Sequence, residues 1–279
     1  MQNTALRASV IRQIVQARYE IDTNYPPWAR RSHPIVRRHL GVYWRVMTPQ
    51  IEPVAYWYLV QTALIFLTIP LPFLFTVILP MVIVSGALLP AGLVYYGQAL
   101  FSLANDSSRS MVNEIENSTM PLLMATPYTV RELLLCKIAG ALWRQSETFT
   151  LLLSLAAYSQ MPTIVLVYLN RFPPAEYGIL AQLFMAVVFA TSILRLPLEI
   201  FMAATIGHWI GANTTGRHAA AASTMLILLF YFILINLPRL LILSPMGQLF
   251  IDAALPLIAP ITITAGLLRL TEDELMNKL

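Results

Sequence analysis

Residues 54–104 read VAYWYLVQTALIFLTIPLPFLFTVILPMVIVSGALLPAGLVYYGQALFSLA, and no Asp, Glu, Lys, Arg or His interrupts them. About 20 apolar residues in a helix cross the hydrocarbon core of a bilayer. The stretch therefore has the length of two spans and a tight turn. Pro70, Pro72 and Pro80 all offer breaks, and prolines are also tolerated within spans; the expected spans are 54–78 and 81–104. The whole chain agrees with this reading. Of its 279 residues, 57% are hydrophobic and 11% charged, where a soluble domain carries about a quarter charged. The expected fold class is an all-α integral membrane protein.

Downstream, apolar runs predict four more spans, near 141–169, 178–211, 219–238 and 251–269, making six. Upstream, residues 1–50 form a separate basic region. Over 4–21, Leu6, Val10, Ile11 and Ile14 share one helical face while Arg7, Arg12, Gln13 and Gln16 lie elsewhere, the pattern of an amphipathic helix lying on a membrane. TNYPPWARRSHP follows as a linker, and HPIVRRHLGVYWRVMTP predicts a second interfacial helix, with Tyr43 and Trp44 at headgroup depth. Arg7, Arg12 and Arg18 break any signal-peptide core at the N-terminus.

Charge sets the expected topology. With the N-terminus inside, fifteen Lys and Arg fall on the cytoplasmic side, Arg171 and Arg239 outside and Arg195 within a span. This bias predicts both termini in the cytoplasm and a multi-pass protein of the cell's inner membrane. It also accounts for the net charge of +4 through basic loops rather than nucleic-acid binding. The one cysteine, Cys136, excludes an intrachain disulfide.

Residues 105–140 are then the largest cytoplasmic loop. Asn117, Ser118 and Thr119 can cap a helix starting near Met120, with Pro121 in its first turn. Glu114 and Glu116 precede it, where a helix N-terminus favours negative charge. Leu122, Leu123 and Met124 make it apolar, and Thr126-Pro127 ends it. Thr129-Val-Arg-Glu132 is a capping box that opens a second helix, expected to run through LLLCK, closed by Lys137, into the third span.

Other constellations are weaker. Gly211-Ala-Asn-Thr-Thr-Gly216-Arg217-His218 has the outline of a phosphate loop but lacks the Lys-Ser/Thr that carries its chemistry, so it reads as a turn and no ATPase resides in this chain. Arg195 and Glu199 stand one helical turn apart inside the fourth span. Ionisable groups there mark a substrate path or gate, or else a structural pair that fixes packing. The four histidines are scattered, so no metal-ligand spacing emerges, and no nucleophile–base pair is visible. Arg239 and Asp252 flank the last outer turn as solvated interface residues. No catalytic, cofactor or metal site is expected.

The motif E-x-E-x-x-T-x-x-x-L-L-x-T-P, followed by a capped helix ending in Lys, resembles the cytoplasmic loop of type-2 ABC-transporter permeases. Here it comprises Glu114, Glu116, Thr119, Leu123, Thr126, Pro127, Glu132, Leu133 and Lys137. HPIVRRHL is similar to the basic segment before the first span of those permeases, and GANTTGRHAAAAS to their loop between spans four and five. The family often has Gly at the positions of Ser118 and Cys136, and an acid at that of Pro121. The resemblance implies a coupling helix, with Leu122, Leu123 and Met124 docked into a separate ATP-binding subunit, a second permease chain as partner, and ATP-driven export. Pattern alone is equally met by an amphipathic loop lying on the bilayer. The alternative for the whole chain is a permease-like structural or assembly subunit of a larger membrane complex, without transport.

Overall fold

The computed structural model describes residues 24–41, 52–68, 70–71, 73–241 and 243–277, and among these there are helices and turns but no strand. The amphipathic helix expected over 4–21 and the headgroup residues Tyr43 and Trp44 lie outside the described residues. Among the described residues, four helices are long and apolar enough to cross a membrane: Gly86–Glu116, Ile179–Asn213, Arg217–Arg239 and Pro245–Asn277. Large apolar side chains such as Leu93, Val94, Leu226 and Phe230 stand on their outer surfaces. In water that surface would cost several kcal/mol; in a bilayer it meets acyl chains. The chain is a multi-pass membrane protein.

Helix α1 (Pro34–Leu40) opens on a proline and ends at Gly41, whose φ of 53° suits a residue without Cβ. Helix α2 (Glu52–Leu67) is followed by α3 (Leu74–Glu116), 43 residues long. The expected division at residues 79–80 is therefore corrected. Helix α2 ends just before Thr68, which donates its hydroxyl to the Ile65 carbonyl at 2.6 Å, and Pro80 and Pro90 lie within α3. At 1.5 Å per residue α3 is ~65 Å long, twice a bilayer core. Its last turns occupy 105–116, which the sequence reading assigned to a loop.

Short helix α4 (Met120–Met124) and α5 (Val130–Arg144) follow. The expectation that α5 continues into the third span is also corrected. Gln145, at φ −105° and ψ 16°, separates it from α6 (Ser146–Arg171). Then come α7 (Pro174–Tyr177), α8 (Ile179–Asn213) and α9 (Arg217–Asn236). The stretch 214–216 is a turn, with Gly216 at φ 113°. Beyond a single 3-10 turn (Leu237–Leu240), α10 (Pro245–Leu249) passes through a π-helical turn (Phe250–Ala254) into α11 (Leu255–Asn277), which ends eight residues beyond the expected limit at 269.

The packing centre is the pair α3–α8. Gly207 sits so close to α3 that a Cβ there would lie 2.2 Å from the Ala104 carbonyl oxygen, and one at Gly211 2.5 Å from that of Ser108. Residues 104 and 108 thus meet 207 and 211 in order, so the two helices run parallel. Small residues at this spacing let backbones approach within a membrane, where dispersion and close fit replace the hydrophobic effect. Two buried clusters result. One joins α1, α3, α5 and α8 at the basic end of the molecule, around Val36, Leu103, Leu133 and Ile206. The other joins α2, α6 and α8 at the far end, around Ile65, Phe172 and Phe189.

Candidate functional site

At the basic end, α3 delivers Glu114 to its last turn and α5 delivers Lys137 to its middle. The two side chains form a buried ion pair, although 23 positions separate them. Lys137 Nζ also lies 3.3 Å from Met111 Sδ, and His39 Nε2 lies 3.5 Å from the second Glu114 oxygen. Burial, and then the charge of Arg38, pull the Lys137 pKa down to about 7, against the attraction of Glu114. Burial holds the His39 ring at about 3, helped by the charges of Lys137, His208, Arg144 and Arg38. His39 is thus neutral beside a carboxylate already taken by Lys137. Removing either partner of the pair leaves the other charge buried alone, a loss of roughly 3–5 kcal/mol.

The segment before α1 clamps onto the same helix. Trp143 Nε1 donates to the Ala29 carbonyl at 2.8 Å, Arg144 donates to the His39 carbonyl, and the Arg31 guanidinium stacks 5.1 Å from the Trp143 ring centre. Ile35, Val36 and Leu40 are buried against α5 and its neighbours. The apolar side of this basic helix packs on α5, at roughly 1.5–3 kcal/mol per buried side chain. Cys136 is buried against His33, Sγ to Nδ1 3.4 Å. Burial and the Glu132 charge push its thiol up to about 12, so it is inert as a thiolate.

Between these anchors lies the predicted coupling helix. Thr119 does not cap it. Its backbone N–H and hydroxyl both donate to the Glu114 carbonyl, at 2.9 and 3.2 Å, and Ser118 N–H donates to that of Ile115. These bonds close α3 in a Schellman motif, with Ser118 left-handed at φ 52°. The Thr126 stop holds, its hydroxyl donating to the Leu123 carbonyl at 2.5 Å just before Pro127. The Thr129 cap forms as predicted, with Glu132 N–H donating to its Oγ1 at 3.2 Å. The three apolar residues divide. Leu122 is 70% exposed, Leu123 only 4%, and Met124 is half-buried while Met120 turns inward. The expected outward face of three residues is corrected to Leu122, because successive helical positions differ by ~100°. Glu116 stands exposed, 3.9 Å from Arg217.

The second set lies farther along the spans. Arg195 Nε donates to Glu199 Oε1 at 2.6 Å, and Tyr231 Oη donates to the same oxygen at 2.6 Å. The predicted pair therefore exists, and Glu199 is wholly buried. A cavity of ≈ 590 Å³ opens beside it, lined by residues from α3, α6, α8, α9 and the turn into α11, Arg195 among them. Arg239 and Asp252, expected as separate solvated residues, are both partly buried. They pair at 3.4 Å on the cavity wall, and Asp252 also accepts from Tyr168 Oη at 2.8 Å and Gln248 Nε2 at 3.1 Å.

No family model, curated protein or solved structure corresponds to the chain.

The sequence reading missed His39, Met111 and His208 around Lys137, and Tyr231, Tyr168 and Gln248 around the two arginines. Their one local signal is polarity at buried helical positions. Tyr231 follows Ala220, Thr224 and Leu228 along the inward line of α9, so its hydroxyl needs an internal acceptor. Among the described residues, no group of three His, Cys, Asp or Glu side chains converges as a metal site does.

Proposed function

We propose that the chain is the six-span permease subunit of an ATP-driven exporter of the type-2 ABC kind, with both termini in the cytoplasm of a cell whose inner membrane holds it. It works with a separate ATP-binding subunit and a second permease chain. The observation that carries this reading is the two-helix segment at 114–137. Its outer edge presents Leu122, while the buried Glu114–Lys137 pair and the Leu123 and Met120 side chains tie it to α3 and α5. A short helix so held passes a push from a docked partner into two long helices instead of dissipating it in a loose joint. Four spans come from the long apolar helices; α2 and α6, with 16 and 26 residues, supply the fifth and sixth.

Leu122→Asp tests the docking. The side chain stands clear of the chain's own core, so the variant should fold and accumulate as wild type. A buried contact with an ATPase would then hold an unpaired charge, which costs several kcal/mol, and co-purification of the ATP-hydrolysing subunit should be lost. A variant that keeps this partner and ATP-dependent transport contradicts the reading. The single outward leucine makes a small footprint, which suits the structural-subunit alternative. Wild-type protein that purifies in mild detergent with unrelated membrane subunits and no ATPase would establish that alternative.

A further inference from the structure

The cavity between the spans lies at hydrocarbon depth. Residues 104 and 108 of α3 meet 207 and 211 of α8 in order. Carried back along both helices, this register sets Leu93 level with Leu196 and Leu89 level with Ser192, and all four line the cavity. Leu196 is the middle residue of the 35 in α8. The level is therefore the centre of a span, where acyl chains surround the bundle. The charges on the lining are matched within the protein. Arg195 holds Glu199 at 2.6 Å and Arg239 faces Asp252 at 3.4 Å, while Tyr231 and Tyr168 donate to the two carboxylates. Arg171 stands exposed at the last turn of α6. A charged head group drawn into the cavity would lose its water and gain no unmatched partner, which is costly at this depth.

The rest of the wall is largely apolar, with Leu89, Leu152, Ala156, Val188 and Phe232 among its residues, and it opens on the apolar side. Leu93 and Val167 line the cavity and are also 62% and 48% exposed. The same side chains thus belong to the cavity wall and to the surface that meets lipid. Gly92 and Gly97 of α3 line the cavity beside Leu93, and at both the place of a Cβ has no atom within 4 Å. Two side-chain positions next to the opening are left clear. The volume of ≈ 590 Å³ is within the range of small-molecule sites, roughly 300–1,000 Å³. Inside a bilayer, close fit and dispersion replace the hydrophobic effect, and an apolar wall that opens at this depth gains such contacts from the chains outside it.

We infer that the cavity takes the acyl chain of a bilayer lipid, admitted sideways past Leu93 and Gly92 and laid against Ala156, Val188 and Phe232, while the head group stays outside. The free end of a lipid chain lies near mid-bilayer, so the chain reaches the opening with its head group still at the interface. The two closed ion pairs then have a second role. They hold α6, α8, α9 and α10 around the cavity without presenting a charge that the chain would have to desolvate. That such a chain belongs to a transported molecule rests on the permease reading; its entry does not, and no ATPase takes part in its test.

The test is photo-labelling of the full chain in vesicles of dioleoyl phosphatidylcholine. The vesicles are doped with one of two phosphatidylcholine probes, carrying a diazirine either near the free end of an acyl chain or on the head group, and adducts are mapped by peptide mass spectrometry. The chain probe should label the outward Val94, Leu226 and Phe230 and also the inward Ala156 and Val188, each only 7% exposed. The head-group probe should label neither inward residue. Gly92→Phe fills the opening from a position with clear space, so its melting temperature should match wild type. Its inward adducts should be lost and its outward ones kept. Gly92→Leu makes the same test with a smaller side chain should the Phe variant fail to fold. Gly86→Phe, also in clear space but outside the lining, should keep both sets. Labelling of the wild type confined to outward residues would overturn the proposal. So would inward labelling undiminished in a folded Gly92 variant. Equal inward labelling by the head-group probe would mark a cavity open to polar groups and overturn it as well.

Discussion

Ser118 stands where the backbone turns left-handed, at φ 52°, to end the long helix α3. A Cβ in that conformation costs roughly 1–2 kcal/mol, and the loop pattern that this chain resembles often has Gly there. Ser118→Gly should therefore stabilise the protein by about 1 kcal/mol, or about 2–4 °C in melting temperature for a chain of this size. Ser118→Val should do the reverse. A Gly variant that melts at or below wild type would show that this turn is not under strain. The same scale shows where sequence reading stops. Glu114 and Lys137 were both singled out, but nothing local reveals that they touch. The contact depends on α3 continuing as helix to residue 116 and on α5 folding back across it. His39 joins them from 75 positions upstream of Glu114. Arg195 and Glu199 were legible as a pair because a single helical turn relates them.

At the scale of elements, α8 and α3 approach through Gly207 and Gly211. Gly207→Ala puts a Cβ against the Ala104 backbone, which cannot rotate away. The helices must part, and overpacking of this kind costs typically 1–3 kcal/mol. The control is Gly266→Ala in α11, where a Cβ meets nothing within 4 Å. Detergent melting curves should show a clear loss for the first and none for the second. Equal effects would contradict the close α3–α8 contact. Helix existence was largely legible in the sequence, since α8 and α9 follow their apolar runs to within about two residues. The boundaries were not where proline was read as punctuation. Pro80 and Pro90 break no helix here, because neighbouring helices in a membrane bundle support the backbone around a proline. Helices α4 and α5 were legible from Pro121, Thr126 and Thr129. Which side of α4 faces out was not, since all of Met120, Leu122, Leu123 and Met124 are apolar, and only the packing of α3 and α5 chooses Leu122.

At the scale of the whole molecule, a bundle of long apolar helices carries most of its described Lys and Arg at one end. That end also holds the buried Glu114–Lys137 pair and the clamp of residues 25–40 on α5. The cavity with its three arginines lies toward the opposite end. Under the proposed function a push at α4 would enter the bundle through α3 and α5, and α3 runs from that end to the cavity wall at Leu93 and Leu89. The membrane class was legible from 54–104 alone, because apolar length needs no partner to be recognised. The cavity was not legible, since its arginines come from α6, α8 and the turn after α9, and their convergence exists only in the packed bundle.

The central claim is that α4 docks on an ATP-binding subunit, and the most direct measurement is photo-cross-linking from residue 122 in intact cells. A benzophenone amino acid replaces Leu122, whose side chain is free of the chain's own core, and the adducts are identified after purification. The account predicts one dominant adduct, with a subunit that binds ATP, absent when the same probe is placed at the exposed Glu176 on the far side of the bundle. Adducts confined to lipid, or to membrane proteins without an ATP-binding domain, would contradict it.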